Sequence, residues 1–309
     1  MSNFGQAQEA GEGSARKVYT GVENFKITHV NPTQEELKAL YGDNAKEPTY
    51  VSDNEIKDAE GNVLRTVPQI RIDLFLDNED EEQEIKTRLS FFITKDYQMK
   101  TDGTKTQYIN VYGGTAWLTP EDAASGKAII TMTGAKGAYH FDTTGMRKAY
   151  RGEEALISMM RNLLNLGSPA KAKDKSLVTS QFSEADWNGM FGGDVKALRS
   201  IMLSSPNKIG VLLGAKTVEG NVYQDVYSRN TLRQYSKAGG NFSYLRKDVE
   251  GAQANGAYGN TEFGDPSYKL SEYLGDAVPT PETGVGAGFG GGANSTAFDA
   301  NTANAFTPQ

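Results

Sequence analysis

Hydrophobic and polar residues alternate along two long runs of this chain, and no other pattern in it is as regular. In QIRIDLFL (69–76), Ile70, Ile72, Leu74 and Leu76 alternate with Gln69, Arg71, Asp73 and Phe75. In IKTRLSFFIT (85–94), Ile85, Leu89, Phe91 and Ile93 alternate with Lys86, Arg88, Ser90 and Phe92. A period of two predicts strands with one buried face, and the acidic DNEDEEQE between them predicts an exposed hairpin loop. KVYTGVENFKITHV from Lys17, YINVYG from Tyr108 and AIITMTG from Ala128 predict further strands. KIGVLLGAKTVEGNVYQDVYS (208–228) predicts a closing hairpin that turns at Glu219, Gly220 and Asn221.

Helical spacing interrupts this β pattern. After the first strand, Asn31 as cap, Pro32 at the first helical position, Gln34 at capping-box spacing and Gly42 at the end predict a short helix with Leu37, Leu40 and Tyr41 on one face. GEEALISMMRNLLNLG (152–167) sets Leu156, Met159, Met160, Leu163 and Leu164 on one stripe. Ser183 with Asp186 opens another helix, and DVKALRSIML (194–203) supplies one more.

The expected organisation is β-rich (α+β). Residues 1–16 form a disordered arm, 17–228 one domain with a helical insertion at about 150–205, and 229–309 a flexible tail. Within that tail 229–247 is basic and aromatic, and the end is Gly/Ala/Asn-rich, a composition that cannot bury enough apolar surface to offset ordering entropy. Truncation after Lys247 is therefore expected to leave the core intact.

Charge sharpens the picture. The chain carries −7, and from Asp248 onward eight acids face the single base Lys269, so that segment alone accounts for it. The remainder is balanced, and the acidic total weighs little against a nucleic-acid partner. There is no cysteine, which removes thiolate metal sites and thiol nucleophiles. The two histidines, His29 and His140, have no metal-ligand spacing, and neither a phosphate-binding GxxxxGK[ST] nor a calcium loop is present. No enzyme, cofactor or metal is expected. No run of 18 apolar residues occurs and the start lacks a signal-peptide core, so no membrane partner is expected either.

The candidate chemistry lies on the outward parity of the two alternating runs: Arg71, Phe75, Lys86, Arg88 and Phe92. Cations track phosphates while rings stack on bases of any identity, which is what a sequence-tolerant single-strand binder needs. Tyr108, Tyr112 and Trp117 extend the platform, and Lys171 and Lys173 offer a second cationic path. Packing competes with stacking for these residues: Phe75 and Phe92 beneath the helical block at about 150–205, the Tyr and Trp group in a core or at a sheet edge.

GVENFKITHVNPTQEELKALYG, VPQIRIDLFL, IKTRLSFFIT, QYINVYGGTAW and RGEEALISMMRNLLNL, in that order, resemble single-stranded DNA-binding proteins of tailed bacteriophages over roughly residues 17–228. The resemblance implies a five-stranded antiparallel OB-like barrel and a role in phage DNA replication or recombination in the cytoplasm of the infected bacterium. It also implies a C-terminal tail that contacts phage replication proteins, and binding-face residues Arg71, Phe75, Lys86, Arg88, Phe92, Tyr108 and Tyr112. The tail departs from the family pattern, since its acids are dilute and it ends AFTPQ with Phe306 short of the terminus. A phage virion or assembly protein is the alternative reading.

Overall fold

The computed structural model of the chain describes residues 17–100, 102–109, 115–131, 138–164, 182–233, 243–264 and 270–272. Its elements begin with β1 (Tyr19–Val30), α1 (Gln34–Tyr41), β2 (Val51–Lys57), β3 (Val63–Asp77), β4 (Lys86–Tyr97), β5 (Thr106–Ile109) and β6 (Thr115–Leu118). Next come α2 (Pro120–Ala124), β7 (Lys127–Thr131), β8 (Ala138–Asp142), β9 (Arg147–Lys148), β10 (Tyr150–Arg151), α3 (Glu153–Leu163), α4 (Glu184–Phe191) and α5 (Lys196–Ser204). The chain continues through β11 (Ile209–Val218), β12 (Asn221–Val226), β13 (Leu232–Arg233), α6 (Ser243–Ala254), β14 (Thr261–Phe263) and β15 (Ser271–Glu272). The β-rich α+β class is as the patterning predicts. Among the described residues no helix is long and apolar enough to cross a membrane.

The expected single domain of 17–228 is divided into two units. One takes its described residues from 17–50, 72–91 and 195–272, the other from 51–71 and 92–194.

In the first unit the strands lie in the order β4-β3-β1-β11-β12. A fourth strand that returns after a long connection to lie beside the first is the Greek-key order. β1 serves two partners: Gly21–Phe25 pair with β11, and Lys26–Val30 pair with β3 across a bulge between Ile27 and His29. A bulge lets a strand bend from one neighbour to the next. The inward residues are as read, with Ile72, Leu74, Leu76, Leu89 and Phe91 all buried, and β4 alternates, but in β3 the outward Asp73 and Phe75 are buried as well. Among the described residues β4 and β12 do not pair with each other.

Helix α1 starts later than the sequence suggests. Thr33 is the cap, accepting from the Glu36 amide while the Glu36 carboxylate accepts from the Thr33 amide. Asn31 is committed elsewhere: at φ 43 its side chain accepts from the Asp73 amide at 2.6 Å.

The largest departure is at the C-terminal side, where part of the expected tail is folded. β13 and β14 pair with β11, and β15 pairs with β1. Leu245, Val249 and Ala252 of α6 are buried with Val22, Leu212, Tyr227 and Leu232, and Tyr258 and Phe263 pack against them. The reason is visible in β11, whose residues Ile209–Ala215 are buried without alternation and so need cover on both faces. Gly214 makes the seat for β14, since a Cβ there would lie 2.7 Å from Thr261 and 2.9 Å from the Glu262 carbonyl. The arm at 1–16, the basic-aromatic residues Tyr235, Lys237 and Phe242, and the Gly/Ala/Asn-rich end lie outside the described residues.

The second unit holds the ribbon of β2 with residues 63–70 of β3, the β10 to β4 pair, the sheet β6-β5-β9 and the hairpin β7-β8. Leu156, Ile157, Met159, Met160 and Leu163 of α3 are buried. Tyr150, Phe182, Trp187 and Phe191 form an aromatic cluster around α4. Ser183 opens α4 as expected, and it does so in a capping box with Asp186.

Candidate nucleic-acid interface

The outward parity of β3 and β4 does not yield the open cationic platform expected of it. In the first unit Phe75 is only 4% exposed, covered by the rings of His29 and Tyr41 with centroids 6.4 and 6.0 Å away. It is a core residue, covered by rings from β1 and α1 and not by the helical block that the packing alternative named.

Charge on that face is also largely met. Asp73, buried at 1%, accepts from Ser90 Oγ at 2.7 Å and lies 3.6 Å from Arg88 Nη1. Lys86 is exposed but pairs with Glu84 and, at 3.8 Å, with Asp77. The hydrogen bond to Glu84 comes first among the causes that raise the Lys86 ammonium above its ordinary value.

The second unit holds the other named residues. Arg71 is half-buried and Phe92 is exposed at 40%. Tyr108 is a correction: it is buried with Ala116 and Leu118 and is not a stacking surface. Trp117 is half-buried, and Lys100 Nζ stands 4.9 Å from its ring centre. Tyr112, Lys171 and Lys173 lie outside the described residues.

Tyr97, Lys100 and Lys148, none of them among the expected residues, complete the site. Tyr97, at the end of β4, is 40% exposed, and Lys148 Nζ stands 5.3 Å from its ring centre. Its ring stacks on Tyr150 at 5.3 Å and 13°. Tyr150 is buried against Trp187 and Phe191 in edge contacts and donates to Glu184 at 3.0 Å. Burial first, then Glu184, pushes the Tyr150 hydroxyl far up, so it stays protonated.

Backbone bonds tie the two ring and lysine pairs to one small group of strands. The Gln107 amide donates to the Gln98 carbonyl at 3.0 Å, and the Ala149 amide donates to the Gln107 carbonyl at 2.9 Å. Gln107 also faces Trp117 across the β5-β6 ladder. Lys100, Trp117, Tyr97 and Lys148 are therefore placed by β5 and its immediate neighbours.

Glu153 secures this group from behind. Fully buried at the start of α3, it accepts from both terminal nitrogens of Arg147 and, at 2.9 Å, from the Tyr150 amide. Burial raises its carboxyl against the opposing pull of Arg147 and that amide.

A rigidly backed ring with an ammonium at its face can stack a base and meet the neighbouring phosphate. No pattern of two or three and a half residues points to Tyr97, whose parity is that of the inward Leu89, Phe91 and Ile93. Among the described residues no group of His, Asp or Glu is placed to hold a metal ion. Compared with models of known families, with curated proteins and with solved structures, the chain matches none.

Proposed function

We propose that this chain binds single-stranded DNA without sequence preference, through the paired rings and lysines Tyr97–Lys148 and Trp117–Lys100. That pairing is the observation that carries the reading: two aromatic surfaces, each with its own cation, on strands that share backbone bonds. Stacking is tolerant of base identity and lysine reads only charge, so the site selects for exposed bases and a phosphate backbone.

The fold supports the same reading. Five strands in the order 3-2-1-4-5, with helices entering between the third and fourth, follow the Greek-key plan of the OB-fold, here open between β4 and β12. The sequence resemblance to phage proteins motivates the setting: replication or recombination of phage DNA in the infected cell, with the C-terminal tail contacting phage replication proteins.

Tyr97→Ala and Trp117→Ala are each expected to weaken oligo-dT binding by about 1 to 3 kcal/mol, with little change in melting temperature for Tyr97→Ala. Lys100→Gln and Lys148→Gln should each flatten the salt dependence by about 0.7 in log-log slope. Fluorescence anisotropy across a salt series checks both. Unchanged binding by the two alanine variants contradicts the assignment.

A further inference from the structure

The loop between β3 and β4 holds one carboxylate between two lysines from distant parts of the first unit. Lys26 of β1 reaches Glu79 Oε1 at 3.2 Å, and Lys208, just before β11, reaches Oε2 at 3.1 Å. Lys208 also donates to the Asn78 carbonyl at 2.7 Å. Asn78 fixes the loop from below, its Oδ1 accepting from the Ile85 amide at 2.9 Å and its Nδ2 donating to the Gln83 carbonyl at 2.9 Å. Glu79 itself stands at φ 57, a conformation ordinary side chains avoid. Hydrogen bonds from Lys208 and then Lys26 hold its carboxyl below the usual range.

Two ammonium groups on the two oxygens of one anion match the two charged oxygens of a phosphodiester. The Lys26 contact is the readily exchangeable one, with side chains 45% and 44% exposed in a pair of the kind that binds weakly in water, while Lys208, 25% exposed, stays anchored to the Asn78 carbonyl. We propose that Lys26 and Lys208 form a bracket for a backbone phosphate of single-stranded DNA, which Glu79 occupies as an internal stand-in when DNA is absent. The inference rests on the single-strand reading above. Entry of the strand exchanges carboxylate for phosphate, and the bracket contributes nothing to base preference.

The test compares whole-chain wild type, Glu79→Gln, Lys26→Gln/Lys208→Gln and the triple variant for oligo-dT binding across a salt series. Glu60→Gln, which removes one exposed acid from the turn between β2 and β3, serves as the control for net charge. Glu79→Gln is expected to bind about three- to ten-fold tighter at low salt, more than Glu60→Gln does. The lysine pair should flatten the slope by about 1.4, and in its background Glu79→Gln should give no gain. Equal gains from Glu79→Gln and Glu60→Gln, or a gain that survives loss of both lysines, overturn the bracket while the single-strand reading stands. Absence of binding by wild type at the lowest salt overturns both.

Discussion

Truncation after Lys247 is expected to destabilise the first unit by about 5 kcal/mol or more, whereas truncation after Glu272 should cost little. The shorter chain loses Val249 and Ala252 from the buried cluster together with Tyr258 and Phe263 packed against it. Large apolar side chains contribute about 1.5 to 3 kcal/mol each when buried, and two or three of that size account for the estimate. It also strips β14 from β11 and leaves the buried Tyr227 hydroxyl without its acceptor Asp248, 2.8 Å away. The longer chain keeps all of these contacts and removes only residues 273–309, whose composition offers little apolar surface. Urea denaturation of the two truncations against wild type measures the difference. A cooperative, wild-type transition in the chain ending at Lys247 would show that α6 and β14 are dispensable.

The second large effect is expected at Gly152. At φ +83 it caps α3, and a Cβ there would run into the Phe92 carbonyl oxygen. The left-handed conformation alone costs a non-glycine residue about 1 to 2 kcal/mol. Contact with backbone adds to that, because relief requires moving β4 or the start of α3. Gly152→Ala should therefore lose about 3 kcal/mol or more, and Gly61→Ala, at φ +88 with nothing within 4 Å, about 1 kcal/mol. Gly152→Ala should also weaken DNA binding, since displacement of α3 moves Glu153 and with it Arg147 and Tyr150, the support of Tyr97. Thermal melts and oligo-dT titrations of both variants report the two effects separately. Equal losses from both glycines would refute the close approach.

The strands with long regular alternation were legible because each has one dominant neighbour on its buried side. Ile72, Leu74, Leu76, Leu89 and Phe91 fell inward as their parity requires, and the Glu219-Gly220 turn has both residues at positive φ, as a tight hairpin needs. Parity, however, says nothing about what later covers the other face. Phe75 is outward by alternation and buried by α1, and no local feature distinguishes it from Phe92.

The missed elements share a cause as well. Among the described side chains the buried stripe of α6 is Leu245, Val249 and Ala252, set among charged residues and too thin to register against its surroundings. Its signal lay elsewhere, in the unbroken apolar run of β11. Tyr97 was hidden because its role depends on β9 and β10, strands of two residues each, paired to distant parts of the chain.

Binding of single strands by stacking and phosphate contact is measured most directly by an equilibrium titration of the whole protein. Oligo-dT, a mixed-sequence single strand and a duplex of equal length are compared at several salt concentrations. Similar affinity is expected for both single strands, with weaker binding of the duplex and a log-log salt slope of about −1.4 or steeper from the phosphate contacts of Lys100 and Lys148. Undetectable binding at the lowest salt, or preference for the duplex, contradicts the single-strand reading.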